Sequence, residues 1–184
     1  TGEDHEPIQR ALRLAESALA SLQRLAERFR PLANRGFTRG KRKASLKETV
    51  NICLEARKQE IERRKVKMEL RLRGHDEVQT DPGELYAVFI NLLDNALYWL
   101  DRLPGKRERL LRIDASPSRI KGRIECGVHD SGFGVLKEDH EKIFWPGFTH
   151  RPNGFGMGLT VAGEIVEGNG GRLRILDEGS LGGA

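Results

Sequence analysis

The first regular feature of the chain is a heptad repeat of apolar residues near its beginning. Apolar side chains recur in alternating steps of four and three, at Ile8, Leu12, Ala15, Leu19, Leu22, Ala26 and Phe29. Such spacing is typical of a helix that packs against another helix, and Pro31 and Gly36 end it. We therefore predict a long helix within residues 1–35 that belongs to a helical hairpin or a dimer bundle. An amphipathic helix packed on its own domain is the alternative.

Three more helical patterns follow. Residues 46–64 carry an apolar stripe formed by Leu46, Val50, Cys53, Leu54 and Ile61. The segment Asp81-Pro82-Gly83-Glu84 combines an N-cap Asp, a Pro at the first helical position and a Glu at the capping-box position. It predicts a helix that runs to about Leu100. A last helix is predicted from Leu159 to Glu167, before a glycine-rich turn.

Strand-like patterns separate the helices. They occupy residues 66–72, 110–115, 120–129 and 173–176, and in the first of them apolar and charged residues alternate. Helices and strands interleave without regular βαβ units. The pattern predicts an α+β fold, a two-layer α/β sandwich on a mixed sheet.

Composition narrows the class of protein. The chain has 184 residues, of which 38% are hydrophobic and 32% charged, and it contains no apolar run of the roughly 20 residues that a membrane span needs. Because it begins at Thr1, we expect a fragment whose parent can carry a membrane anchor elsewhere. We expect a cytoplasmic location from its cysteines, since free thiols persist in a reducing compartment. The two cysteines, Cys53 and Cys126, lack metal-site spacing, and we expect buried free thiols.

The net charge of +5 is unevenly distributed. Residues 34–74 hold fourteen Lys or Arg against five Glu. Such a block can contact nucleic acid or an acidic partner, or it can be the solvated face of a helix and its connector. The block lacks the series of aromatic residues that base stacking needs, so we expect no nucleic acid.

Two amides lie one turn apart on the most apolar predicted helix. Asn91 and Asn95 share a face of a helix that is otherwise rich in Leu, Val, Phe and Ala. Buried amides need hydrogen-bond partners. A bound magnesium–phosphate group or the backbone of another segment could supply them.

Asp130 ends the strand predicted over residues 120–129. Ile120, Ile124, Cys126 and Val128 occupy even positions, so strand parity places Asp130 on the apolar face. A carboxylate on that face needs a donor, and an adenine amino group is one. A cap of the Gly132–Gly134 turn is the other interpretation.

Glycines at alternate positions precede the last helix, at Gly154, Gly156 and Gly158. There they allow backbone N–H groups to wrap phosphates at a helix N-terminus. The segment is neither a Walker loop, which needs GxxxxGK[ST], nor a dinucleotide fingerprint, because Leu159 stands where the third glycine would be.

Taken together, residues 91–96 (NLLDNA), 130–134 (DSGFG) and 154–159 (GFGMGL) resemble the N, G1 and G2 boxes of the GHKL (Bergerat) ATP-binding fold. Sensor histidine kinases, Hsp90, DNA gyrase B and MutL share this fold, and the resemblance covers residues 45–184. It implies ATP and Mg²⁺ as ligands, with Asn95 on the metal and Asp130 on the adenine amine. It also places Gly132, Gly134 and Val135 at the base. The implied ATP-binding set is Asn91, Asn95, Tyr98, Asp130, Gly132, Gly134, Val135, Arg151, Gly154, Gly156, Gly158 and Leu159.

The position of Asn91 separates the branches of this family. Hsp90, gyrase and MutL relatives carry there a Glu that activates water, and an amide cannot accept a proton at neutral pH. Residues 143–152 resemble the F box and ATP lid of histidine kinases, in which Arg151 either reaches a phosphate or is a surface charge without a role. Tyr98 stands where many kinases place a phosphate-contacting Lys. The resemblance therefore implies the ATP-binding catalytic domain of a sensor histidine kinase.

Domain organisation and partners follow from the same resemblance. Residues 1–35 look like part of a dimerisation hairpin, and residues 36–184 like a catalytic domain that lacks its final strand. The implied partners are a second copy of the full-length protein, through the N-terminal helix, and a response-regulator receiver domain. The γ-phosphate would pass to a histidine outside this fragment, since His5 is followed directly by Glu6-Pro7 and is a poor match to an H box. A nucleotide-gated interaction module without phosphotransfer is the alternative.

Overall fold

A computed structural model describes residues 9, 10, 12, 16, 19, 26, 43–105, 107–152 and 154–176. The six isolated positions are helical, and Leu12 and Leu19 of the heptad pattern are exposed. Ala26 of the pattern is exposed as well, whereas its other members, and His5, lie outside the described residues, so the helical seam stays a prediction. The chain divides into two compact units, Thr1–Thr38 and Arg39–Ala184, and the second carries everything described below.

Helices and strands alternate through this unit. In chain order they are β1 (Ala44–Ser45), α1 (Leu46–Ala56), α2 (Lys58–Arg63), β2 (Lys67–Leu72), β3 (Glu77–Val78), α3 (Pro82–Asp101), β4 (Leu110–Pro117), β5 (Ile124–Asp130) and α4 (Gly158–Gly168). Short 3₁₀ turns lie at Lys137–Asp139 and Lys142–Phe144. The predicted α+β class with interleaved helices is confirmed.

The main sheet has the strand order β2-β4-β5. β2 and β4 run parallel, whereas β4 and β5 run antiparallel, so the sheet is mixed as predicted. Leu70, Ile113 and Val128 are in register on one face. The opposite face is polar, and there Arg112 Nε lies 2.9 Å from Glu69 Oε2.

Helices α1 and α3 cover the apolar face of the sheet. One cluster of buried side chains joins the two layers: Leu46, Val50, Cys53, Val66, Phe89, Leu93, Ala96, Leu97, Leu100, Leu103, Leu111, Ile113 and Ala115. Burial of this apolar surface holds α3 rigidly against the sheet. The two layers therefore fix the position of every side chain that α3 presents at its other faces.

Local capping explains where the helices begin. Ser45 Oγ accepts from the Glu48 N–H at 3.0 Å at the start of α1. Asp81 Oδ1 accepts from the Gly83 N–H at 2.8 Å, with Pro82 at the first position of α3 as predicted. Glu84, expected in a capping box, accepts from Asn169 Nδ2 at 2.8 Å. It thus ties the start of α3 to the end of α4.

Four predictions need correction. The helix expected over residues 46–64 divides into α1 and α2 at Arg57. Strand β5 begins at Ile124, because residues 118–123 form a turn in which Ile120 is 59% exposed. Residues 171–176 are not a strand in the described structure, since an alternating pattern forms one only where a neighbouring edge pairs with it. Of the two free thiols, Cys53 is buried but Cys126 is exposed.

Among the described residues, no helix combines the length and the apolar character that crossing a membrane requires.

Candidate nucleotide-binding site

Helix α3 is the centre of the candidate site. Asn91, Asn95 and the pair Tyr98–Trp99 lie on successive turns of this helix. The turn at Asn91 contacts the start of α4, and the turn at Tyr98–Trp99 contacts the turn after β5. The turn at Asn95 contacts the loop between the second 3₁₀ turn and α4, residues 145–157, which we name the lid loop. The three sequence boxes, far apart in the chain, therefore converge on one helix face.

Asn91 contacts the start of α4. Its side chain is buried, and Nδ2 donates to the Ala87 carbonyl oxygen at 2.7 Å. A Cβ added to Gly158 would lie 3.0 Å from Asn91 Oδ1, so any side chain there would press on the buried Asn91 amide. Of the two partners considered for Asn91, the backbone therefore satisfies the amide nitrogen, while the amide oxygen faces Gly158. Leu159, the next residue of α4, is half-buried.

Asn95 contacts the lid loop. Arg151 Nη2 donates to Asn95 Oδ1 and, at 3.2 Å, to the carbonyl oxygen of Asp94. The Arg151 guanidinium carbon lies 4.2 Å from the centre of the Tyr98 ring, and that of Arg102 lies 3.4 Å from it. Three residues predicted for the site, Asn95, Tyr98 and Arg151, thus form one cluster.

Asp130 lies at the end of β5, opposite Leu111 of β4. It shares the apolar face with Val128, as strand parity predicts. Burial raises the pKa of its carboxyl, although the Gly132 N–H bond and His129 act in the opposite direction. Its Oδ1 accepts from the Gly132 N–H at 2.8 Å. The carboxylate therefore caps the turn, and this bond to Oδ1 leaves Oδ2 for another donor.

The turn after β5 approaches α3 through glycine. A Cβ at Gly132 would lie 3.4 Å from Cβ of Trp99, and closer still to the Asp130 carboxylate. Gly134 has a φ of 72°, which disfavours any other residue. Val135, predicted to contact the base, places its carbonyl oxygen 3.2 Å from His140 Nε2.

The lid loop is closed at its base by two glycines. The Gly147 N–H donates to the Gly156 carbonyl oxygen at 3.2 Å. A Cβ at Gly156 would lie 2.6 Å from the carbonyl oxygens of Gly147 and Phe148. Within the loop, Thr149 Oγ1 accepts from the Arg151 N–H at 3.0 Å, and the Gly154 N–H donates to the Arg151 carbonyl oxygen at 3.0 Å. These bonds hold the backbone of Arg151 in place.

Sequence reasoning missed several residues of the site. Trp99 packs beside Gly132, Thr149 holds the loop, and buried Asp139 lies 2.9 Å from His150 Nε2. The run of large apolar residues in α3 could have indicated Trp99. No spacing marks Asp139, because its partner His150 lies across an irregular segment. Thr149 accepts from an N–H only two residues further on, a local turn contact that a hydroxyl residue in a loop could have indicated.

Comparison with known proteins agrees with this geometry. Residues 80–183, more than half of the chain, match the family described as histidine kinase-, DNA gyrase B-, and HSP90-like ATPases. The sensor histidine kinase ZraS of Escherichia coli is 30% identical over 136 residues, which are 72% of this chain and 27% of that protein. The two-component sensor PprA of Pseudomonas aeruginosa is 36% identical over 104 residues, or 55% of this chain and 11% of PprA. The matched part of the chain thus spans less than a third of the length of either relative.

Solved structures show the same fold. The mycobacterial sensor histidine kinase MprB has a TM-score of 0.62 at 24% identity, over 73% of this chain and 84% of MprB. Full-length ShkA in complex with AMPPNP has a TM-score of 0.70 at 18% identity, over 97% of this chain and 36% of ShkA. The sequence match, the α+β architecture and the convergence of the three boxes on α3 all indicate the same family. The chain belongs to the family of histidine kinase-, DNA gyrase B- and HSP90-like ATPases.

Proposed function

We propose that this chain binds Mg²⁺-ATP as the ATP-binding catalytic part of a two-component sensor histidine kinase. The observation that carries the proposal is the convergence of three loops on successive turns of α3, through Asn91, Asn95 and Trp99. Family membership supports ATP as the nucleotide, and one structural neighbour was solved with the ATP analogue AMPPNP.

Asp130 is proposed to accept a hydrogen bond from the adenine amino group. Its half-buried position on the apolar face supports this role, because Gly132 donates to Oδ1 only and a donor to Oδ2 would offset the remaining cost of desolvation. Gly132, Gly134 and Val135 would form the adjacent wall of the base pocket. Gly156, Gly158 and Leu159 would present backbone N–H groups to the phosphates at the start of α4. Gly154, whose N–H donates to the Arg151 carbonyl oxygen, would shape the loop that leads to them.

Asn95 is proposed to hold Mg²⁺ through Oδ1, the half-buried amide oxygen on which Arg151 rests. Magnesium commonly takes one or two protein oxygens and completes its shell with water and phosphate oxygens. A single amide is therefore a sufficient protein ligand. The described residues contain no group of three or more His, Cys, Asp or Glu side chains that could hold a metal ion. When held by Asn95, the ion would offset the negative charge of the phosphates.

Phosphotransfer to histidine, rather than hydrolysis, is proposed from the environment of Asn91. An amide whose nitrogen donates to the Ala87 carbonyl oxygen cannot act as a general base for water. The neighbouring carboxylate Asp94 is 2.6 Å from Arg57 Nε in an ion pair. A neutral imidazole attacks phosphorus without prior deprotonation and needs no such base. The acceptor histidine would come from outside residues 43–176.

A response-regulator receiver domain is the proposed recipient of the phosphate. One structural neighbour is the histidine kinase ThkA in complex with the response regulator TrrA, with a TM-score of 0.62 at 22% identity. Dimerisation of the full-length protein through the N-terminal helix is proposed from the heptad pattern. A nucleotide-gated interaction module is the second candidate, because the bond from Arg151 to Asn95 links the lid loop to α3, a link that bound nucleotide would change.

Calorimetry with AMPPNP and Mg²⁺ tests the nucleotide site in the 184-residue chain. We expect saturable binding that Asp130→Asn weakens at least about tenfold, the effect of losing one buried charge-assisted hydrogen bond. Asp114→Asn, on the polar face of the same sheet and paired with His129, is the matched control and should bind as the wild type does. Equal affinities of Asp130→Asn and the wild type would refute the adenine assignment.

Phosphotransfer needs a longer chain. In a chain that also carries the proposed acceptor histidine, we expect acid-labile phosphate on histidine after incubation with ATP and Mg²⁺. Nucleotide binding without any such phosphate would favour the interaction module. Rapid ATP hydrolysis by the 184-residue chain would contradict both functions.

A further inference from the structure

Arg151 and the proposed magnesium ion use the same atom. Arg151 Nη2 donates to Asn95 Oδ1, the oxygen proposed to bind the metal. A guanidinium group and a divalent cation cannot share one amide oxygen at contact distance, because their mutual repulsion is large in a half-buried site. The chain therefore holds a cation of its own on the proposed metal ligand.

Tyr98 holds this cation in place. The guanidinium carbon of Arg151 lies 4.2 Å from the centre of the Tyr98 ring, a distance at which cation–π attraction adds to the hydrogen bonds. Tyr98 follows Asn95 by three residues on α3, so ring and amide lie side by side on one helix face. A planar guanidinium can bond to the amide and stack on the ring at once, which an ammonium group cannot do.

The backbone around Arg151 is fixed while its side chain has two possible partners. The Arg151 N–H and carbonyl oxygen are both bonded within the lid loop, to Thr149 and Gly154. Rotation of the side chain alone can therefore move the guanidinium from Asn95 to a neighbouring group. The phosphates of a nucleotide would offer a stronger, fully charged acceptor than an amide does.

We infer that Arg151 competes with Mg²⁺ for Asn95 Oδ1, and that Tyr98 is the positioning residue that keeps Arg151 there until nucleotide phosphates draw it away. The inference rests on the proposed function, because it concerns the same metal and nucleotide. It makes the metal site accessible only when phosphate is present. Mg²⁺ alone is a poor ligand of the free chain, and nucleotide and metal bind cooperatively.

A Mg²⁺ titration of the chain without nucleotide tests the competition, because saturating AMPPNP would already have drawn Arg151 to the phosphates. Arg151→Gln removes the competing charge, so the Mg²⁺ concentration at half-maximal binding should fall about threefold to tenfold, as expected for the loss of one charged hydrogen bond. The same variant loses a phosphate partner, so its AMPPNP dissociation constant at saturating Mg²⁺ should rise. Opposite changes in the two quantities distinguish competition from general damage to the site, which would raise both.

Tyr98 is tested by two substitutions. Tyr98→Leu removes the ring and should lower the Mg²⁺ midpoint in the same direction as Arg151→Gln. Tyr98→Phe keeps the ring face and should retain the wild-type midpoint. Arg123→Gln, at an exposed position in the turn before β5, is the control for loss of one positive charge and should also match the wild type.

The outcomes separate the inference from the function on which it rests. An unchanged or raised Mg²⁺ midpoint in Arg151→Gln overturns the competition, and equal behaviour of Tyr98→Phe and Tyr98→Leu overturns the role of the ring. The wild-type chain is also titrated with AMPPNP, which tests the proposed function by itself. If it does not bind, the proposed function fails, and the Mg²⁺ midpoints alone decide the competition.

Discussion

Asp139 and His150 are eleven residues apart in the chain, and the His150 Nε2 atom lies 2.9 Å from the Asp139 Oδ2 atom. Asp139 is buried at the end of a 3₁₀ turn, whereas His150 belongs to the lid loop. Lys142 Nζ lies 3.4 Å from the other carboxylate oxygen. This pair fastens the lid loop to the segment that follows the turn after β5.

Lowering the pH should weaken the interaction between Asp139 and His150. The hydrogen bond from His150, followed by that from Lys142, lowers the pKa of Asp139 below its ordinary value. Its contribution to stability is therefore complete above the unfolded-state pKa of about 3.9 and is lost as the pH falls through the lower folded-state pKa. We expect Asp139→Asn to melt below the wild type at pH 5 and the difference to shrink below pH 4. A difference that grows on acidification would contradict the ion pair.

Local rules account for the parts of the fold that could be predicted. The start of α3 follows from its N-cap Asp81 and Pro82, and the face of Asp130 follows from period-two parity along β5. The contact of Arg151 with Asn95 could not be predicted, because it joins residues 56 positions apart through an irregular loop. The strand predicted at residues 173–176 is absent from the described structure for a related reason. The alternation of apolar and polar residues is a local property, but a strand also needs a sheet edge, formed by residues distant in the chain, to pair with.

The ionised carboxylate of Asp130 should lower the free energy of unfolding of the chain without nucleotide. Because burial raises its pKa, the folded chain binds this proton more tightly than the unfolded chain does. Its contribution to the free energy of unfolding therefore falls as the pH rises from about 3.9 through the folded-state pKa. Asp130→Asn without nucleotide should melt at or above the wild-type temperature at pH 7. The gap should close near pH 3.5. A variant that melts several degrees lower at pH 7 would indicate a structural role instead.

Glycine 156 should tolerate no side chain. Its φ is 62°, and a Cβ would lie 2.6 Å from two carbonyl oxygens across the base of the lid loop. Gly156→Ala should therefore cost at least about 1–2 kcal/mol and weaken AMPPNP binding by displacing the loop. Gly163→Ala is the matched control, since a Cβ there meets no atom within 4 Å. In the middle of α4 it should stabilise the chain by about 0.5–1 kcal/mol. Urea unfolding of both variants measures the contrast.

Asn95→Ala should separate metal-dependent from metal-independent binding. The substitution removes the proposed Mg²⁺ ligand and the acceptor of Arg151 together, so AMPPNP should bind with nearly the same affinity in Mg²⁺ and in EDTA. In EDTA the variant should bind at least as tightly as the wild type, because Arg151 no longer has to leave Asn95 to reach phosphate. Asn51→Ala, at an exposed position on α1, should keep the full wild-type response to Mg²⁺. A variant at position 95 that still gains affinity from Mg²⁺ as strongly as the wild type would place the metal on another oxygen.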